Sequence, residues 1–218
     1  MSEISLGRQP YCRCSILSYH IIILYIQCLS YPSTFLSHPP EICEHVATTH
    51  KYHFLGIDTS LNPSLEDGGS VASAMEQLAE IDMFGGLGTL AAAAALTTAI
   101  QSLPGIKLTG YCGLMLPVCE DQRLAELAKK PPGSKHRKLE ISDLLAISSV
   151  CGVGIDTVPL AEDISEDKLT SLLLDMAGLA ARWNKPLSCR VLPFPGKKAG
   201  DQTDFVSPYM VNTQVFEL

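Results

Sequence analysis

Two near-copies of one tetrapeptide, Gly56-Ile57-Asp58-Thr59 and Gly154-Ile155-Asp156-Thr157, constrain what this chain can fold into more than any other feature. Each copy follows an apolar run. Each leads through a proline (Pro63, Pro159) and an acidic pair (Glu66-Asp67, Glu162-Asp163) to a serine (Ser70, Ser165). A serine in that position can accept a hydrogen bond from a first-turn amide and so start a helix. The same strand, loop and helix order therefore occurs twice, which predicts an α/β fold with at least part of the sheet parallel.

The rest of the body fits that grammar. Tyr52 to Ile57 reads as a short strand, and a turn-rich loop runs from Ser60 to Gly69. A helix is predicted from Ser70 to about Met83, with Val71, Met75, Leu78 and Ile81 on one face and Gly85-Gly86 ending it. The alanine-rich stretch Thr89 to Leu103 predicts a second helix, stopped by Pro104-Gly105. Ile106 to Val118 has the apolar content of a strand buried on both faces. Helices are expected near 120–127 and 140–150, separated by a solvated basic loop at 129–138, and a strand at 151–160. The strongest helical pattern is 166–183, where Leu169, Leu172, Leu173, Met176, Ala180 and Trp183 share a face. A strand at 186–193 and a turn-rich close complete the chain.

A hydrophobic content of 46% with 18% charged residues describes a chain that buries much of itself. The formal charge of -7 argues against nucleic acid, since phosphate binding needs a basic face. Cys112, Cys119, Cys151 and Cys189 are widely spaced in apolar surroundings and read as buried free thiols, as in a reducing, cytoplasmic compartment.

Residues 1–50 differ in composition and read as an extension unrelated to the domain at 51–218. The apolar run at 21–26 is too short to span a bilayer and lacks a prompt cleavage site. Cys12-x-Cys14 and the nearby histidines match no zinc-ligand spacing. Pro32, Pro39 and Pro40 are expected to break regular structure.

Ligands of α/β folds sit where strands end at their carboxyl side. Asp58 and Asp156 are expected there, where two carboxylates could hold a divalent cation, act as acid and base, or anchor a substrate hydroxyl. Equally, each aspartate can accept backbone amides and only shape its own loop. A second candidate is Gly196-Lys197-Lys198-Ala199-Gly200-Asp201, whose glycines can expose amides beside two ammonium groups, an arrangement suited to an anion. It lacks the spacing of a P-loop and would serve as well as a plain turn. The residues leave the cofactor unknown, with Asp58 and Asp156 as the ligands of any metal.

Several stretches, in order, resemble a known family: 56–63, Phe84-Gly85-Gly86, 113–118, 154–159, Asn184-Lys185-Pro186-Leu187, 196–201 and Ser207-Pro208-Tyr209. Together they resemble the uncharacterised family named domain of unknown function 711, also designated UPF 0210. The resemblance implies a partial barrel similar to that of pyruvate formate-lyase, with this chain holding the C-terminal part of a longer domain. It assigns no reaction. Radical chemistry would need a glycine in an Arg-Val-x-Gly-Tyr-like context, whereas the last glycine, Gly200, lies in an unrelated one. The expected function is an enzyme or enzyme remnant acting on a small anionic or hydroxylated metabolite. The alternatives are a non-catalytic ligand-binding or regulatory protein, or a gene fragment whose open sheet edges favour self-association. A membrane partner is not expected.

Overall fold

The computed structural model describes residues 39–66, 68–129 and 137–218. The apolar run at 21–26, the Cys12-x-Cys14 pair and most of the basic loop lie outside the described residues. The chain divides after Phe54. On the N-terminal side stands helix α1 (Pro39–Thr49). Its two prolines open a helix instead of breaking one, because a first-turn proline gives up an amide that has no intrahelical partner anyway.

From Leu55 onward the elements are α2 (Val71–Met75), α3 (Thr89–Gln101), α4 (Gln122–Leu127), α5 (Ile141–Cys151), β1 (Gly154–Ala161), α6 (Glu166–Trp183) and β2 (Ser188–Phe194). The mixture of helices and strands is the α/β content expected. β1 and β2 pair in parallel, Gly154 opposite Ser188 and Ala161 opposite Phe194, with α6 as the crossover. Single parallel bridges extend the order: Ile57 to Leu108, Leu61 to Leu114, and Pro117 to Asp156. Four parallel segments therefore follow one another in sequence order. Seven of the eight β1 residues are buried, which explains a strand with little alternation.

Three expectations need correction. The stretches at 52–57 and 106–118 form isolated bridges, not full strands. Positive φ at Gly110 and Cys112 bends the second stretch between its bridges at Leu108 and Leu114, and the ladder cannot run through. Helix α2 stops at Met75, eight residues short. Beyond it, the Glu76 carboxylate accepts the amide of Phe84 and pairs with Arg123, and the intervening turn returns Ile81 and Phe84 to the core. On α6 only Leu172 and Met176 of the expected apolar face are buried, while Leu173 is 50% exposed.

Ser70 and Ser165 do cap their helices, accepting the amides of Ser73 and Lys168 respectively. Cys112, Cys119 and Cys151 are buried free thiols, and Cys189 is half-buried. Burial, reinforced by Glu120 and only partly offset by Arg190, pushes the Cys119 thiol up to about 12.

Gly178 sits exposed inside α6, and a Cβ there meets nothing within 4 Å. Gly178→Ala is therefore expected to stabilise the protein by about 1 kcal/mol, chiefly by restricting the unfolded chain. The check is a higher denaturant midpoint at an unchanged m value.

Candidate functional site

The twin tetrapeptides are placed alike in the structure, and Asp58 accepts backbone amides, as one of the two readings of these aspartates has it. Asp156 is the third residue of β1, so its copy opens the strand and lies far from the carboxyl end at Ala161. Asp58 likewise follows directly on the first bridge of its segment, at Ile57. In both copies the glycine has positive φ and abuts the backbone of the next parallel segment, Gly56 against Lys107 and Gly154 against Ser188. Both aspartates then reach across to that same segment.

Asp58 accepts the amides of Tyr111 and Cys112, each at 2.9 Å, together with the amide and hydroxyl of Ser60. Partial burial pushes its carboxyl up, but these four hydrogen bonds outweigh it and hold the pKa below the ordinary 3.8. Lys185 grips the same Tyr111 from its other end, donating to the carbonyl at 2.5 Å. Burial lowers the Lys185 pKa, and Cys112, Cys151 and Asp58 oppose that fall. Asp156, 3% exposed, is held by both Nε and Nη2 of Arg190, which also meets Glu120 at 2.8 Å. No hydrogen bond or ion pair joins the two aspartates to a common partner among the described residues.

The carboxyl ends of β1 and β2 instead open onto a cleft of about 420 Å³. Its walls are Ala161 at the end of β1, Asp163 after it, Ile164, Ser165 and Lys168 at the start of α6, Lys198 and Ala199 after β2, and Phe216 to Leu218. The loop after β1 is tied to the glycine-lysine turn by two contacts. The amide of Gly196 donates to Glu162 at 2.8 Å, and the amide of Glu162 donates to the Lys197 carbonyl at 3.0 Å.

Of the turn residues singled out from sequence, Lys198 and its neighbour Ala199 border the cleft, and Lys198 alone of them brings a charge to it. Lys197 turns to Asp204 at 3.1 Å. Asp201 accepts the Lys198 amide at 2.7 Å, and the Gly200 amide donates to Val215. Those residues build the turn that carries Lys198. Sequence reasoning missed Lys168 as a wall of this cleft. The signal was present in the spacing Ser165, Lys168, Leu172, one face of α6 whose first members are polar. Among the described residues no group of three or more His, Cys, Asp or Glu side chains is placed to hold a metal ion. No described helix is long and apolar enough to cross a membrane.

Comparison with known proteins agrees on one family. A UPF0210 protein of Acetivibrio thermocellus is 32% identical over 152 residues, covering 68% of this chain and 32% of the relative. One from Pyrobaculum arsenaticum is 30% identical over 159 residues, covering 72% of this chain and 34% of the relative. One from Oenococcus oeni is 32% identical over 152 residues, covering 68% of this chain and 32% of the relative. The matched stretch thus spans about a third of the length of these curated relatives. No solved structure matches the chain. The family model described as Uncharacterised ACR (DUF711) matches residues 39–209, and the chain belongs to that family.

Proposed function

We propose that the cleft at the carboxyl ends of β1 and β2 binds a small carboxylate-bearing or hydroxylated metabolite. One observation carries the reading: Lys168 and Lys198, from two different elements, border one cleft where parallel strands end. The Lys168 ammonium also donates to the Leu218 oxygen, and with its remaining hydrogens it joins Lys198 in attracting and orienting an anion through charge-assisted hydrogen bonds. Ser165 adds a hydroxyl at the same wall. Acid or base work on the bound metabolite falls to Asp163 or Glu217, which border the cleft as well. Asp58 and Asp156 serve as clamps between neighbouring parallel segments.

Four parallel segments in sequence order, with helices between them, support reading the body as an arc of a larger barrel of the pyruvate formate-lyase type. The buried free thiols fit a cytoplasmic setting.

The test is thermal unfolding of the full chain with 2-hydroxypropanoate, against potassium chloride at matched ionic strength. Binding to the native state raises the midpoint with ligand concentration. Lys168→Ala and Lys198→Ala are each expected to weaken binding by roughly tenfold. No shift beyond the salt control, or a shift that both variants leave intact, removes the cleft as the site.

A further inference from the structure

We infer that the ligand of this cleft is an α-amino acid with a branched aliphatic side chain. The inference rests on the reading of the cleft as a carboxylate site and adds the rest of the ligand. A second cleft, of about 290 Å³, borders Ile141 and Leu145 of α5 and Leu172 of α6. Lys168 and Leu218 border both clefts, so the two meet at the Lys168 side chain. On α6 the residues Ser165, Lys168, Leu172 and Asp175 recur at three- and four-residue spacing, and this single stripe runs from the polar cleft into the apolar one.

The charges select the head group. Lys168 and Lys198 are matched in the polar cleft by Asp163 and Glu217, and the Lys168 ammonium donates to the Leu218 oxygen at the same wall. A simple carboxylate gains from the lysines but is opposed by the two acids. A zwitterion places its carboxylate on the ammonium groups and its own ammonium on the carboxylates, leaving no like pair in contact. The second cleft selects the tail. Ile141, Leu145 and Leu172 offer carbon, and burying a leucine-sized side chain there contributes favourably to binding. Asp167 and Asp175 border the same cleft and outnumber Lys168 there, which disfavours dicarboxylic amino acids.

The experiment is isothermal titration calorimetry of the full chain with L-leucine, glycine and 4-methylpentanoate. Leucine is expected to bind at least tenfold more tightly than glycine, which lacks the tail, and than 4-methylpentanoate, which lacks the ammonium group. Ser171 is an exposed α6 residue bordering the apolar cleft, so Ser171→Trp fills that space without entering the core. That variant is expected to erase the preference for leucine over glycine, with its far-ultraviolet circular dichroism unchanged. Equal affinity for leucine and 4-methylpentanoate, or for leucine and glycine, overturns the inference. If 2-hydroxypropanoate still binds in a Lys168- and Lys198-dependent way, the carboxylate cleft survives that outcome. If none of these compounds binds, both readings fall together.

Discussion

Asp121→Ala is expected to lower the stability of the protein by about 4 kcal/mol, a large loss for one polar side chain. Asp121 is fully buried, and its two oxygens serve the starts of two helices. One oxygen accepts the amides of Arg123 and Leu124 at the N-terminus of α4, at 2.9 and 3.1 Å, and the hydroxyl of Ser70 at 2.6 Å. The other accepts the amide of Val71, the first residue of α2, at 2.9 Å. Ser70 in turn accepts the amide of Ser73, so one carboxylate and one hydroxyl join two helix N-termini back to back.

Each helix end presents the positive pole of its backbone dipole to that carboxylate. Loss of an ordinary cap costs about 1 kcal/mol, and each buried donor left unpaired adds about 1–3 kcal/mol. The expected fall in melting temperature is roughly 8–16 °C for a unit of this size. Asp121→Asn keeps one acceptor oxygen and is expected to lie between wild type and Asp121→Ala. Urea unfolding of the three proteins checks the order. A loss within 1 kcal/mol of wild type for the alanine variant would show that the two helices are not held through this group.

The same joint shows what is legible in the sequence and what is not. Asp121 immediately before Gln122-Arg123-Leu124 carries the local signature of a helix start, because its cap partners lie two and three residues away. Its second role, at α2, depends on which segments the fold brings together, and no local pattern encodes that. Helices α3, α5 and α6 and both named strands could be read from periodicity and from their stop signals for the same reason: the determinants are local. Apolar content predicts more strand at 106–118 than forms, because it does not reveal a left-handed residue such as Cys112, φ 47, in the middle of the run. On α6 the three- and four-residue spacing predicts one buried stripe, yet Leu173 of that stripe is half exposed. The candidate site was half legible. The Gly-Lys turn pointed to Lys198, whereas Lys168 gains its place from the parallel register that sets the start of α6 beside the turn after β2.

Gly154→Ala is expected to be at least as costly as Asp121→Ala, and its cost explains why the tetrapeptide occurs twice. Gly154 opens β1 at φ +111, a conformation that residues with a side chain rarely adopt. A Cβ there would lie 2.0 Å from the carbonyl oxygen of Ser188 and 2.7 Å from its nitrogen, both backbone atoms of the paired strand. Neither atom can rotate aside, so relief requires β1 and β2 to separate at the start of their ladder. We expect a loss of about 4 kcal/mol or more, combining backbone strain with overpacking. Gly56, at φ +142, would place its Cβ 2.5 Å from the Lys107 oxygen, but its segment is joined by single bridges and can yield more easily. Gly56→Ala is therefore expected to cost about 2–3 kcal/mol. Gly105, also at positive φ but with nothing within 4 Å of its Cβ, isolates the conformational part, at about 1 kcal/mol. Denaturant unfolding of the three alanine variants should rank them Gly154, Gly56, Gly105. That order follows only if each Gly-Ile-Asp-Thr copy is a docking device, its glycine admitting the next parallel strand and its aspartate fastening it. Equal and small losses at Gly56 and Gly154 would return the repeat to coincidence.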